Sequence, residues 1–370
     1  MRSTILPELS VTANATGNCW GSIHSWHAGR ETRLATIKDI ADQAGVSVAT
    51  VSRALTKPDM VRAGTLERIN AVVARLGYTP NAMASSLRRQ CSDTFLLVVP
   101  NLQNPFYAGV IEGAERVAHG HGKHILIGET RDQPERLDRY CEMLLKKQAD
   151  GLILVGELGS ALLETETVRM KTVMACEYPG DCALPRVRID NRAAAHEVVS
   201  YLLALGHSSI ATITGPLDSA LGRERLAGYV DALAERGMAP DPAMIRNGDY
   251  TLQGGVRQMQ TLISLHNRPS AVFCANDEMA IGALQALANA GVRVPQDCSI
   301  IGFDDLRFAQ FASPALTTVA QPTGAIGETA MRLMIAGLDA AAPNNTEILL
   351  SHELVVRNSS APPAGPELPV

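Results

Sequence analysis

The sequence predicts a small all-α unit at the N-terminus, followed by an α/β body of two doubly wound parallel-sheet subdomains. Three observations predict it. Apolar spacing is helical throughout residues 36–78; from residue 93 short apolar runs alternate with helical patterns; and after residue 190 that alternation starts afresh. With 370 residues, 46% of them hydrophobic and 19% charged, the chain has the material for more than one buried core. Two Trp, seven Tyr and six Phe are all the aromatics it carries. Its cores must be built from Ala, Leu, Val and Ile, which suits helices laid on parallel strands.

Residues 1–33 are polar and aperiodic and read as a disordered extension; a misassigned translation start would look the same. Pro7, Glu8, Ser10 and Thr12 interrupt any apolar stretch after Arg2, so no signal peptide is expected. No apolar run approaches the ~20 residues of a membrane helix, so no membrane partner is expected. The seven cysteines are odd in number, scattered and without a C-x-x-C pair. That pattern argues against a disulfide framework or structural zinc and suits a cytoplasmic protein.

Residues 34–79 form the first domain. Ile37, Ile40, Ala41 and Ala44 lie on one face of a helix that Gly45 ends, glycine being at ease in the left-handed backbone of a tight turn. Ser47 caps a second helix, in which Val51, Ala54 and Leu55 face inward. Leu66, Ile69, Val72, Val73 and Leu76 mark a third helix, which stops at Gly77. Two short helices about a glycine turn, braced by a third, are the plan of a DNA-binding helix-turn-helix. A three-helix protein-interaction module would show the same spacing. Charge favours DNA: residues 36–90 hold eight Lys or Arg against four Asp or Glu, a net +4 that leaves −9 on the rest of a chain totalling −5.

Residues 80–92 read as a hinge. Pro80 fixes an extended entry and Asn81 caps an Ala-rich helix of about two turns, too short to persist without DNA or a partner subunit.

The body spans 93–357. Its first subdomain, about 93–190 with 320–350, has strand runs at Thr94–Pro100, Ile125–Gly128, Gly151–Val155 and Thr172–Ala175, with helices near 105–121, 134–148 and 160–168. The second, 191–319 with the C-terminal strand, has strands at Ile210–Gly215, Ala271–Cys274 and Ser299–Phe303 and helices at 192–205, 220–236, 252–265 and 277–290. A helix near 322–338 and a strand near 347–355 complete it, and 358–370 is a tail. Ligands of such sheets bind at the carboxyl ends of the strands.

An enzyme is the main rival reading. No G-x-S-x-G, H-E-x-x-H or phosphate loop ending in G-K-S/T is present, and His196-Glu197 lacks a second histidine at the needed spacing. No catalytic residue, metal or cofactor is therefore expected. A periplasmic sugar-binding protein would share the body; the N-terminal helices and the missing signal peptide argue against it.

Thr36-Ile-Lys-Asp-Ile-Ala, Ala44-Gly-Val-Ser-Val-Ala-Thr-Val-Ser-Arg-Ala-Leu and Gly77-Tyr-Thr-Pro-Asn-Ala together resemble the DNA-binding end of the lactose-repressor (LacI/GalR) family. The body is similar at Asn104-Pro-Phe-Tyr, Ala149-Asp-Gly-Leu-Ile-Leu, Leu205-Gly-His, Arg225-Leu-Ala-Gly-Tyr, Ala275-Asn-Asp-Glu-Met-Ala-Ile-Gly, Ile301-Gly-Phe-Asp-Asp and Pro314-Ala-Leu-Thr-Thr-Val-Ala-Gln-Pro. The resemblance covers about residues 36–357 and implies a periplasmic-binding-protein-like body. Its function would be that of a transcriptional repressor, homodimeric on a palindromic double-stranded DNA operator. A small polar effector, nucleoside or sugar, would control the operator affinity.

The resemblance also implies roles. Val48 and Ala49 would meet base edges in the major groove, reading thymine methyls or excluding bases by shape; Thr36, Ser47, Thr50 and Ser52 would add polar contacts, and Arg53 a guanine contact. Leu87 would wedge between the central base pairs, with Asn81, Arg88 and Arg89 on phosphates. In the body Phe106 and Tyr250 would wall the effector pocket, while Arg225, Asn276, Asp304 and Asp190 would hydrogen-bond its polar groups. Two departures stand out: Arg62-Ala-Gly64 replaces the usual Ser or Thr cap and Lys before Thr65, and Ser85 replaces an Arg common among relatives. The tail lacks leucine heptads, which argues for a dimer over a coiled-coil tetramer.

Overall fold

The computed structural model describes residues 35–78, 91–156, 159–176, 184–339 and 346–363. The expected extension, the hinge helix with Asn81, Leu87, Arg88 and Arg89, and the end of the tail lie outside the described residues. The chain divides into two units, Met1–Ser85 and Ser86–Val370.

In the first unit α1 (Ile37–Ala44) is capped at both ends. Thr36 Oγ1 accepts from the Asp39 amide at 3.3 Å while the Thr36 amide donates to Asp39 Oδ2 at 2.8 Å, a reciprocal capping box. Gly45, at φ +63°, closes the helix in the left-handed conformation. Ser47 Oγ accepts the Thr50 amide at 3.2 Å and so starts α2 (Val48–Thr56). α3 (Ala63–Leu76) has no side-chain cap at Arg62, as the departure at 62–64 led one to expect. Ile40, Ala41, Ala44, Val51, Ala54, Ile69 and Val72 are the shared core.

The second unit contains two parallel sheets. The first joins β1 (Thr94–Val99), β2 (His124–Glu129), β3 (Gly151–Val155), β4 (Thr172–Ala175), β5 (Arg186–Arg188) and β11 (Glu347–Leu349) in the order β11-β5-β4-β3-β1-β2. Here α4 (Phe106–Gly120) and α11 (Thr323–Asp339) cover the face presenting Phe95, Leu97 and Val99. Leu96 and Val98 face α5 (Pro134–Leu145) and the single turn α6 (Glu166–Arg169). The α4–α11 contact depends on glycine. A Cβ at Gly113 would strike the Gly324 carbonyl, and one at Gly327 the Val110 carbonyl.

The second sheet has the order β7-β6-β8-β9, formed by β6 (Ile210–Thr214), β7 (Ile245–Asn247), β8 (Ala271–Cys274) and β9 (Ser299–Ile301). It is flanked by α7 (Asn191–Ala204) and α8 (Ala220–Glu235) on one face and by α9 (Leu252–Ile263) and α10 (Asp277–Asn289) on the other. A short antiparallel pair, β10 (Thr318–Ala320) with β12 (Glu353–Val355), lies beside it. The chain passes between the sheets three times: from β5 into α7, from β10 into α11, and from β11 to β12.

Some expectations change. The strand expected at 347–355 is two strands on different sheets, because Ser351-His352 interrupts it where the chain crosses over. The helix expected at 160–168 shrinks to α6, since Ser160 Oγ takes the Leu162 and Leu163 amides into a turn. Strands β5, β7 and β10 gave no apolar run, being three residues each.

Candidate functional site

The recognition surface of the first unit follows from how α2 is held. Val51 and Ala54 are buried against α1 and α3, so Val48, Ala49 and Arg53 point out, with Val48 43% exposed. Thr50 and Ser52 flank them, half-buried. The Arg53 guanidinium has no ion pair or hydrogen bond among the described residues. Thr36 and Ser47 are used first as helix caps, and Ser47 Oγ also lies 2.9 Å from Thr50 Oγ1. An exposed helix with apolar leading residues and one unpaired guanidinium has the dimensions and chemistry to enter a major groove.

In the second unit a cleft opens at the carboxyl ends of the strands of both sheets. Asn104, Phe106, Tyr107 and Cys176 line it from the first subdomain; Leu221, Arg225, Tyr250, Asn276 and Asp304 line it from the second, and Gln321 from a crossover. Phe106 and Tyr107 meet edge to face with centroids 5.4 Å apart. The Phe106 amide donates to Asn104 Oδ1 at 2.9 Å, which fixes the ring at the start of α4.

Arg225 is 4% exposed and almost fully engaged. Its Nε donates to Asn191 Oδ1 at 3.0 Å and its Nη1 to the Ala275 carbonyl. The guanidinium lies 3.7 Å over the Phe303 ring, leaving Nη2 directed to Asp304 Oδ1 at 3.9 Å. Asp304 is 7% exposed at φ +117°, and its Oδ1 accepts from Gln321 Nε2 at 2.7 Å. Burial pushes its carboxyl up to about 7, against the opposing pull of Arg225 and Gln321, with Glu278 adding to the rise.

Asn276 caps α10, accepting the Met279 amide at 3.0 Å, and its Nδ2 donates to the Tyr250 carbonyl at 3.0 Å. That bond helps hold Tyr250 at φ +61°, with its ring lying where a Cβ on Gly215 would be. Asp277, fully buried, accepts from Thr318 Oγ1 at 2.6 Å and the Leu306 amide at 2.7 Å. It thereby braces the turn that carries Asp304.

Five of the six expected effector residues therefore meet around one cleft; Asp190 does not join them. It is exposed, caps α7 by accepting the Ala193 amide at 2.9 Å, and borders an outer depression with Arg192, His196, Asp231 and Glu235. An N-cap carboxylate is held by its own helix, so the next residue, buried Asn191, reaches Arg225 instead. Asn191 escaped the sequence reading because a lone amide carries no spacing signal, whereas Gln321 was within reach, in the quoted Pro314–Pro322 stretch. Asn104 and Tyr107 were within reach, flanking Phe106 in the quoted Asn-Pro-Phe-Tyr stretch.

Among the described residues the only convergence of three metal-type donors is Cys91, Asp93 and Asp150. Asp150 accepts from Cys91 Sγ at 2.9 Å, the Ser92 amide at 2.9 Å and the Asp93 amide at 2.7 Å, and Lys123 pairs with Asp93 at 2.6 Å. This arrangement fixes the entry of the chain into β1.

Comparison with known proteins covers both units. Residues 36–81 match the family model for bacterial regulatory proteins of the lacI family, and residues 199–360 that for a periplasmic binding protein-like domain. The HTH-type transcriptional repressor CytR of Escherichia coli (strain K12) is 39% identical over 335 residues, covering 90% of this chain and 98% of that protein. Among solved structures, the lac repressor dimer bound to operator and the anti-inducer ONPF superposes with a TM-score of 0.81 at 28% identity, covering 88% of this chain and 99% of that one. The transcriptional regulator CelR–cellobiose complex gives a TM-score of 0.67 at 31% identity, covering 88% and 99%.

Proposed function

From the premise that this chain belongs to the lacI family of bacterial regulatory proteins, and is a DNA-binding transcriptional repressor rather than an enzyme, we propose that a small polyhydroxylated effector in the cleft sets its operator affinity. One observation carries the reading. Arg225 and Asp304, both buried, offer a donor and an acceptor 3.9 Å apart on the second subdomain, opposite Phe106 and Tyr107 on the first. Neighbouring hydroxyls can accept from one and donate to the other, while a ring lies on the aromatic wall. A sugar or a nucleoside has both features, and cellobiose occupies the complex of CelR. A ligand that touches both subdomains favours one relative orientation of them, and DNA affinity changes by the difference in its affinity for the two states.

In the same reading the protein is a cytoplasmic homodimer and its operator a palindrome, because a two-fold site needs two reading heads. The second subdomain exposes Phe308 (47%) and Phe311 (78%), apolar area that a second copy would cover. No helix among the described residues is long and apolar enough to cross a membrane. Leu87 is assigned to the central base pairs of the operator, and Asn81, Arg88 and Arg89 to its phosphates, by family resemblance alone.

A thermal-shift screen of the full-length protein against nucleosides and sugars tests the reading, since a ligand of the folded state raises its melting temperature. The ligand found must also change the affinity for operator DNA. A ligand that binds the cleft and leaves operator affinity unchanged contradicts the proposal.

A further inference from the structure

Gln321 stands on the crossover from β10 to α11, one of the three links between the subdomains, and it also lines the cleft. Its Nε2 donates to Asp304 Oδ1 at 2.7 Å. The same oxygen faces Arg225 Nη2 at 3.9 Å, so a hydroxyl that seeks the Arg225–Asp304 pair meets an acceptor already bonded to Gln321. The backbone around this contact has little freedom. The Asp304 amide donates to the Val319 carbonyl and the Thr323 amide to the Gln321 carbonyl, each at 2.8 Å, and Pro322 removes one torsion between them. A Gln321 side chain that loses Asp304 must find another partner from within a short, constrained link.

We infer that Gln321 is a positioning residue through which cleft occupancy reaches the subdomain link: an effector hydroxyl displaces its amide from Asp304 Oδ1, and the crossover adjusts. The inference rests on the effector reading above. It makes Gln321 a competitor of the ligand rather than one of its contacts, which separates affinity from response. Removing the amide donor should free Asp304 for the ligand and at the same time disconnect the ligand from the link. Asp304 is also faced by Arg225 from α8 and by Asp277 and Glu278 from α10, and these stay in place when Gln321 is changed.

The experiment compares full-length wild type with Gln321→Met, which keeps the side-chain length and loses the amide. Ribose, cellobiose, cytidine, uridine and adenosine are titrated by calorimetry, and operator affinity is read by fluorescence anisotropy with and without each probe. For a probe that binds wild type, Gln321→Met should bind about three- to tenfold more tightly, the scale of a typical net hydrogen bond. Its operator affinity should then be nearly the same with and without the probe. Weaker probe binding would make Gln321 an ordinary ligand contact, and an undiminished operator response would remove it from the signal; either overturns the inference. If no probe binds wild type, or one binds it without changing operator affinity, the effector reading itself fails, before any variant is considered.

A probe-free measurement guards against a misfolded variant. The amide favours ionised Asp304, so Gln321→Met should lower the melting temperature more above neutral pH than below it. An equal cost on both sides would show that the amide does not act on the carboxylate, and would also overturn the inference.

Discussion

Arg225 Nη2 and Asp304 Oδ1 face each other at 3.9 Å, too far for a direct hydrogen bond although both side chains are buried. The reason is geometric. Arg225 is held by Asn191 Oδ1, the Ala275 carbonyl and the Phe303 ring, while Asp304 is turned toward Gln321 by its own φ of +117°. The gap leaves room for a third group between the donor and the acceptor, and a buried carboxylate without a close counter-ion is driven toward its neutral form.

Stability should therefore depend on pH through Asp304. Its folded-state pKa of about 7 is raised above the unfolded value, so the folded protein binds the proton more tightly. The resulting stabilisation is fully present below the unfolded carboxylate range and is lost as pH rises through 7. Buried Asp277 is raised as well and acts with the same sign. Melting temperature should fall from acid to neutral pH, and Asp304→Asn should remove part of that fall, worth up to a few kcal/mol. A slope unchanged by Asp304→Asn would show that the carboxyl is ionised throughout.

Capping gives a second prediction. Ser47→Ala should cost the first unit about 1 kcal/mol by removing the hydroxyl cap from the Thr50 amide and leaving it only the Ser47 carbonyl. Arg62→Ser should gain about 0.5–1 kcal/mol by supplying the cap that α3 lacks. Amide hydrogen exchange in α2 and α3 measures both, and opposite signs are expected.

At the cleft wall, Gly215→Ala places a methyl group where the Tyr250 ring lies. The ring must move, costing about 1–3 kcal/mol of stability. Binding of any cleft ligand should weaken, while operator affinity without ligand is retained. Calorimetric titration beside an anisotropy assay distinguishes this from general unfolding.

On DNA, Arg53→Ala should reduce affinity for the best palindrome by about 1–3 kcal/mol and relax the preference at one position of each half-site. Selection of binding sites from random palindromes by wild type and variant provides the measurement. A uniform loss across all sequences would reassign Arg53 to a phosphate.

Much of this was legible in the sequence, and the losses have physical causes. Long amphipathic or apolar elements such as α4 and β1 announced themselves, because burial of one face imposes a period. Residues that close a turn beside the cleft, such as Phe106 and Asp304, were singled out through motifs. Strand β5 was invisible because Arg186 and Arg188 flank the one buried residue, Val187, and its neighbours β4 and β11 supply the hydrogen bonds. Asp190 was misplaced by one residue: helix capping and reach toward Arg225 fall to adjacent positions, and no pattern in the sequence tells them apart.

The most direct test of a cleft that controls DNA binding is operator affinity of wild type and Arg225→Ala, each with and without the ligand that raises the wild-type melting temperature. Arg225→Ala removes charge-assisted hydrogen bonds from the cleft floor. Wild-type affinity should change on ligand addition by about 5- to 150-fold, the usual span of allosteric coupling. The variant should bind operator nearly as wild type does without ligand and show no change when ligand is added. An Arg225→Ala protein that keeps the full ligand response would contradict the account.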